Sequence, residues 1–313
     1  MPVTKFGRFV AAASLSASLL FAGLAQSAPE VVGSAPPIAA KLFPDSRMIA
    51  RGRFAVEVVG RGPDLIFIPG LASSRENWRA TAERLRGRYR LHLIHVAGFA
   101  GEPARDNASG DVLISTAEAI DAYIVEQKLA PAVLIGHSLG GTTALYLAIH
   151  HPEHLKKILV VDALPFFGAL IGGPQASVQS LQPMADMIRA NAGKGPGQDN
   201  TKMLEAMVSS PADRAMVIGW SKISDPGVVG RAFADDITLD LRPDLASIRT
   251  PITLLYPDEV PTGAPAGAMD GVYDAAFAAV PNKTLIRVDN SRHFIMLDQP
   301  AAFAAQLDAF LAK

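Results

Sequence analysis

The sequence predicts an α/β fold, with a mostly parallel sheet that is covered by helices on both faces. Two observations carry this prediction. Short apolar runs alternate with helical patterns from residue 54 to the C-terminus, which is typical of βαβ units. Two of the runs, Leu65–Ile68 and Val133–Ile135, are continuously apolar, as buried parallel strands should be.

Composition narrows the class of protein. The chain has 313 residues, of which 49% are hydrophobic, and a formal net charge of -1. This suits one large globular domain or a domain with an insertion. The chain contains no block of basic residues of the kind that binds nucleic acid. It contains no cysteine, which excludes disulfides, thiolate metal sites and a cysteine nucleophile.

The N-terminal segment is typical of a secretory signal. Lys5 and Arg8 precede an apolar stretch, Phe9–Ala25, and small residues follow to Ala28. The alternative is an uncleaved membrane anchor, but the apolar stretch is short for a span and contains three serines. We therefore expect a cleaved signal peptide over 1–28, a periplasmic or secreted protein without stable membrane insertion, and an N-terminal arm over 29–50.

The predicted core covers 51–163 and 243–313. Its strands are placed at Phe54–Val59, Leu65–Ile68, Tyr89–Val96, Ala132–Ile135, Lys157–Val161, Ile252–Tyr256 and Thr284–Val288. Helical patterns lie at Arg75–Arg86, Val112–Gln127, Gly140–His150, Met269–Ala279 and Ala301–Leu311.

The alternation stops between the two parts of the core. Residues 164–242 form an amphipathic, methionine-containing region that Gly193–Gly197 interrupts. We interpret it as a helical insertion over the carboxyl edge of the sheet. Its methionines fill irregular cores well, and they also suit an adaptable apolar lid over a substrate.

The most informative motif is Gly136-His137-Ser138-Leu139-Gly140. It follows a predicted strand and precedes a predicted helix, the context in which G-x-S-x-G forms a sharp turn that exposes a nucleophilic serine. The alternative is a glycine-rich turn with a bystander serine. The context favours Ser138 as a catalytic nucleophile.

A serine nucleophile needs a base, and the chain offers seven histidines. His137 should point away from the Ser138 hydroxyl, and His92 and His95 precede the serine on a strand. His150, His151 and His154 end the helix after the serine, where histidines commonly cap carbonyls. His150 and His154 have the i,i+4 spacing of a metal pair, but no acidic third ligand stands at a recognised spacing, so we expect no metal. His293 remains, in a polar loop after the last strand.

An oxyanion hole requires two backbone N–H groups. The residue after the nucleophile, Leu139, would supply one of them. The other would come from the loop after strand Leu65–Ile68, where we expect Leu71 to donate because Gly70 permits close approach.

Four motifs together resemble the α/β-hydrolase-fold serine hydrolases: Ile68-Pro69-Gly70-Leu71, Gly136–Gly141, Arg249–Tyr256 and Ser291-Arg292-His293-Phe294. The resemblance covers residue 54 to the C-terminus and implies a helical lid after the sixth strand. The chain departs from the family in two places. Pro-Gly-Leu replaces the His-Gly of many relatives, and the loop after Tyr256 lacks Gly-x-x-Asp.

The resemblance also implies an acid that orients His293. Asp258, two residues after strand Ile252–Tyr256, is at the position most members use. Asp162, at the end of strand Lys157–Val161, is at a position that some members use. Glu259 is a weaker option. We expect Asp258, with Asp162 as the alternative.

The resulting prediction is an esterase without a cofactor that acts on small, fairly apolar substrates. Lactonases, amidases, acyltransferases and C–C hydrolases share the serine machinery, and a catalytically silent binding protein is the alternative of another class. Aromatic residues would make the pocket apolar, namely Phe166, Phe167 and Phe294.

Overall fold

The computed structural model describes residues 40–173, 175–194, 199–258, 267 and 269–312. The predicted signal peptide, residues 29–39 of the predicted arm and Glu259 lie outside these residues. Contacts divide the chain into Met1–Pro36 and Pro37–Lys313, and the fold described below belongs to the second unit.

The core is a single sheet of eight strands in the order β1-β2-β4-β3-β5-β6-β7-β8. The strands are β1 Arg47–Ala50, β2 Phe54–Gly60, β3 Asp64–Ile68, β4 Arg90–Val96, β5 Ala132–His137, β6 Leu155–Val161, β7 Ile252–Pro257 and β8 Lys283–Val288. Strand β2 pairs antiparallel with both β1 and β4, and every other neighbouring pair is parallel. The predicted mostly parallel sheet is confirmed.

Eleven α-helices connect or follow these strands in the described part of the chain. They are α1 Arg79–Leu85, α2 Leu113–Glu126, α3 Leu139–His150, α4 Gly168–Gly172, α5 Val178–Asn191, α6 Thr201–Ala206, α7 Pro211–Lys222, α8 Pro226–Thr238, α9 Asp270–Ala276, α10 Ile295–Asp298 and α11 Pro300–Ala312. Helices α4 to α8 lie between β6 and β7, in the region predicted as an insertion. No helix of the described residues is long and apolar enough to cross a membrane.

Two large apolar clusters flank the sheet, as parallel strands with crossover helices require. Alternate residues of one strand enter different clusters: Ile66 and Ile68 of β3 belong to one, and Leu65 and Phe67 to the other. Apolar packing on both faces therefore holds the centre of the sheet, where β3, β5 and β6 lie side by side.

The first strand was not predicted. Residues 47–50 had been assigned to the arm, yet they pair with β2 along their whole length. The adjoining residues are also anchored, because the backbone N–H groups of Leu42 and Phe43 donate to the buried Glu57 carboxylate. Strand β1 is only partly buried and lies at the edge, so its sequence has no buried-strand pattern.

Candidate active site

Ser138 lies at the junction of β5 and α3, in a strained backbone conformation. Its φ of 53° and ψ of -124° are values that non-glycine residues rarely adopt. The turn needs small flanking residues: a Cβ on Gly136 would lie 2.1 Å from the Gly140 carbonyl oxygen. The predicted strand–turn–helix elbow is present, and the serine remains partly exposed at its apex.

One expected oxyanion donor is the first residue of α3, and the other lies in the loop after β3. Leu139 opens α3, so its N–H has no acceptor within the helix. The loop after β3 comes close to the elbow, because a Cβ on Gly70 would lie 3.0 Å from the Ser138 Cβ. Leu71 follows Gly70 directly. Among the described residues, neither N–H is hydrogen-bonded to another backbone group.

His293 lies in the loop between β8 and α10, and a carboxylate holds its ring. Its Nδ1 is 2.6 Å from the Asp162 Oδ2, and both side chains are mostly buried, with 22% and 11% exposure. This bond leaves Nε2 as the nitrogen that can exchange a proton with a substrate or a hydroxyl.

The structure corrects the predicted acid. Asp258 does not contact the His293 ring; its Oδ1 instead accepts from the backbone N–H of Ser291 at 3.2 Å. The reason is strand order. Strand β6, which ends just before Asp162, is the direct neighbour of β5, whereas β7, which leads to Asp258, is one strand further from Ser138. The His293 loop crosses above β7 to reach the elbow, so its backbone passes Asp258 and its imidazole meets Asp162.

The position of Asp162 is itself specialised. Its φ is 48°, in the left-handed region, and its N–H donates to the Leu255 carbonyl at 2.8 Å. Its second oxygen, Oδ1, accepts from the Tyr273 hydroxyl. Both carboxylate oxygens therefore have a partner, and the side chain is fixed between α9 and the His293 loop.

Nothing in the sequence marked Tyr273 as a residue of this site, because it lies on α9, far along the chain from Asp162. It is buried, and its ring stacks on Tyr256 with centroids 4.5 Å apart. Burial, followed by the Asp162 charge, raises the pKa of Tyr273 well above its ordinary value of 10. The phenol therefore keeps its proton and can only donate to the carboxylate.

His137 also has a role that the sequence did not reveal. The Nε2 of its buried ring lies 3.0 Å from the His293 carbonyl oxygen. Burial, followed by the nearby His293, lowers the pKa of His137 well below 6.5. The neutral ring donates from Nε2 and fixes the backbone of the His293 loop against the elbow.

The three predicted pocket aromatics are in different surroundings. Phe166 is 1% exposed and packs with Ala176 and Leu181 inside the inserted helices. Phe167 contacts Phe233 there, with centroids 6.1 Å apart. Both rings therefore contact other residues of the inserted helices, and a role for them in a substrate pocket stays a prediction. Phe294 is 3% exposed and packs against the rings of His137 and His293, so it restricts the positions of both imidazoles.

Comparison with known proteins agrees with this geometry. Residues 65–306 match the family described as "Alpha/beta hydrolase family". Among curated proteins, the chain is 26% identical over 272 residues to a pimeloyl-[acyl-carrier protein] methyl ester esterase of Vibrio cholerae, covering 82% of this chain and 97% of that one. It is also 26% identical over 262 residues to the enzyme of that name from Nitrosomonas europaea, covering 81% and 98%.

Solved structures share the fold. The enol-lactonase of Burkholderia xenovorans superimposes with a TM-score of 0.67 at 16% identity, covering 83% of this chain and 97% of the other. An esterase of Exiguobacterium antarcticum gives 0.63 at 20% identity, covering 84% and 100%. The family match spans most of the chain and includes Ser138 and the Asp162–His293 pair. The chain belongs to the alpha/beta hydrolase family, and its esterase-like, hydrolytic character is confirmed at that level.

Proposed function

We propose that the protein hydrolyses carboxylic esters of small, fairly apolar substrates through an acyl-enzyme on Ser138. The observation that carries the proposal is the contact of the His293 Nδ1 with Asp162 beside a strained serine elbow. This arrangement of nucleophile, base and orienting acid is the one that serine hydrolysis requires.

In this reaction the Ser138 Oγ attacks the carbonyl carbon while its proton passes to the His293 Nε2. The negative charge that develops on the carbonyl oxygen is stabilised by the N–H groups of Leu71 and Leu139. Asp162 stabilises the imidazolium, which then protonates the leaving alcohol. Water attacks the acyl-enzyme by the same route in reverse and releases the acid and the free serine.

The residues around the elbow support the apolar character of the substrate. A small space next to Leu139 and Gly140 is lined largely by apolar atoms, among them those of Ile68, Pro69, Val112 and Leu113. This space is about the size of one water molecule and holds no acyl chain, so the length and polarity of the acyl group are left to the substrate panel. The names of the curated relatives refer to a methyl ester, so methyl esters are the first compounds to examine.

The test is a substrate panel on wild type and Ser138→Ala. The panel contains p-nitrophenyl and methyl esters of graded acyl length, with lactones and amides beside them. We expect ester hydrolysis to fall by about 10⁴- to 10⁶-fold in Ser138→Ala. Ser109→Ala, a change at an exposed serine, is the matched control and should keep full activity.

A fluorophosphonate probe separates an enzyme from a silent binding protein. The label should appear on the peptide that contains Ser138 and be absent in the alanine variant. An unlabelled wild type, or a Ser138→Ala protein that keeps most of its activity on every hydrolysed substrate, would refute the proposal.

We also propose that the mature protein is periplasmic or secreted and starts near Ala28. The support is the pattern of Lys5, Arg8 and the apolar stretch before small residues. Intact-mass measurement of protein from the native host decides the matter. A membrane-associated species that still starts at Met1 or Pro2 would contradict the proposal.

A further inference from the structure

A cluster of imidazole and carboxylate groups lies where α2 meets the connection between α3 and β6. It consists of Asp121 on α2 with His151 and His154, which follow α3. One ligand atom from each of the three lies within 4.8 Å of the others. Asp121 is 7% exposed, and the two imidazoles are 23% and 26% exposed, so the cluster is accessible from solvent on one side.

We propose that Asp121, His151 and His154 form a binding site for a divalent transition cation of the zinc type. Both imidazoles present Nδ1 to the same carboxylate. The Nδ1 of His154 lies 2.7 Å from the Asp121 Oδ1, and the Nδ1 of His151 lies 3.5 Å from the Asp121 Oδ2. Two nitrogens and one carboxylate oxygen are a donor set that Zn²⁺ takes in proteins, with water completing the tetrahedron.

The distances are close to those that a bound cation imposes. Ligands about 2.1 Å from a tetrahedral cation are about 3.4 Å from one another. The separation of His151 Nδ1 from Asp121 Oδ2 already has this value, at 3.5 Å. That distance involves Oδ2, whereas the 2.7 Å contact of His154 Nδ1 involves Oδ1. A cation on either oxygen therefore requires one imidazole to turn toward it, and the two imidazoles are 23% and 26% exposed.

The surroundings add an independent argument. A metal-bound histidine commonly donates its other ring N–H to a carboxylate, which fixes the tautomer. The Nε2 of His151 lies 3.1 Å from the Glu118 Oε2, and Glu118 in turn accepts from the Tyr146 hydroxyl at 2.8 Å. The imidazole is therefore held with Nε2 as donor and Nδ1 facing Asp121.

Binding is a simple exchange. The cation replaces any protons on the two Nδ1 atoms, which are released to solvent, and both rings become Nε2–H tautomers. The two positive charges are offset by the carboxylates of Asp121 and Glu118. Because Asp121 and Glu118 lie on α2 and both histidines follow α3, the bound cation would clamp these elements together and stabilise the folded chain.

Sequence spacing could not show this site. The histidine pair at i,i+4 spacing is His150 and His154, but the His150 ring lies against Tyr146, with centroids 4.2 Å apart, and is not part of the cluster. The acidic ligand comes from a different helix, 30 residues before His151 in the printed numbering.

The test is titration of chelator-treated full-length protein with Zn²⁺ by calorimetry and by thermal unfolding. We expect one equivalent to bind and Tm to rise, since a ligand of the folded state stabilises it. The changes Asp121→Asn and His154→Gln should each weaken Zn²⁺ binding at least about tenfold. Glu118→Gln should weaken it about tenfold because it removes the carboxylate that orients the His151 ring. The adjacent change His150→Gln is the matched control and should bind as wild type does.

Cobalt provides a readout that does not depend on the variants folding. Co²⁺ bound to wild type should show the intense d–d absorption of a tetrahedral site, and added Zn²⁺ should remove it. Esterase activity should be unchanged by the metal, which separates this proposal from the catalytic one. Absence of binding to wild type, or binding that survives in Asp121→Asn and His154→Gln or is lost equally in His150→Gln, would overturn the proposal.

Discussion

Asp236, a buried residue of α8, should make the folded protein less stable as the pH rises. The side chain is 8% exposed, and its Oδ1 has no hydrogen-bond partner among the described residues. Burial, and to a smaller extent the neighbouring Asp235, raises the pKa of Asp236 from 3.8 to about 7, while contacts with the Thr142 hydroxyl and the charge of His293 lower it. The folded protein therefore holds a proton on Asp236 that the unfolded chain loses.

The sign follows from the two pKa values. Between pH 4 and 7 the unfolded carboxyl is ionised and the folded one is protonated, so the folded state binds more protons and this group makes stability fall as the pH rises. One pKa unit corresponds to about 1.4 kcal/mol. From pH 5 to pH 8 the free energy of unfolding should lose about 3 kcal/mol through Asp236.

The substitution Asp236→Asn removes this dependence because an amide does not ionise. Urea unfolding of wild type and variant at pH 5, 6, 7 and 8, at constant ionic strength, measures the difference between their free energies of unfolding. That difference should shift by about 3 kcal/mol in favour of the variant between pH 5 and 8. Whatever the buried amide itself costs is the same at each pH and does not affect the slope.

An exposed aspartate provides the control. Asp244→Asn makes the same chemical change at an exposed position, so any pH dependence that comes from the assay or from the loss of one carboxylate appears in it as well and can be subtracted. If the Asp236→Asn difference is flat after this subtraction, or moves in favour of wild type as the pH rises, the argument from burial is refuted.

Other consequences concern the site. Asp162→Asn should lower kcat for ester hydrolysis by about 10⁴-fold and keep its fold by circular dichroism, whereas Asp258→Asn should keep most of its activity. The opposite pattern would show that Asp258, and not Asp162, orients His293. Tyr273→Phe removes a hydrogen bond to the Asp162 carboxylate, so we expect kcat to fall about 10- to 100-fold and the acidic limb of the kcat/KM profile against pH to move to higher pH. An unchanged pH profile would assign the phenol a purely structural role. Gly140→Ala should lower the urea midpoint strongly, because the new Cβ would lie 2.3 Å from a backbone oxygen of β3; a wild-type midpoint would contradict this.

The sequence alone determined the features that depend on local pattern. Strands β2 to β7 were recognisable because they lie inside the sheet and are buried on both faces, which leaves their side chains predominantly apolar. Strand β8 lies at the edge and is only partly buried, yet its apolar run was sufficient to predict it. The elbow at Ser138 was equally local, since the turn requires small residues two positions before and after the serine. His293 could be selected by elimination because the other six histidines lie next to the serine, on an earlier strand, or at the end of the helix that follows the serine.

Only the tertiary structure decided which distant groups meet. Asp162 and Asp258 both follow parallel strands and end at the same edge of the sheet, so position along the chain could not separate them. The order of the strands did, because β6 and not β7 lies beside β5. For the same reason Tyr273, His137 and the Asp121 cluster had no sequence signal: each acts through a contact between elements, and contacts between elements depend on packing rather than on spacing along the chain.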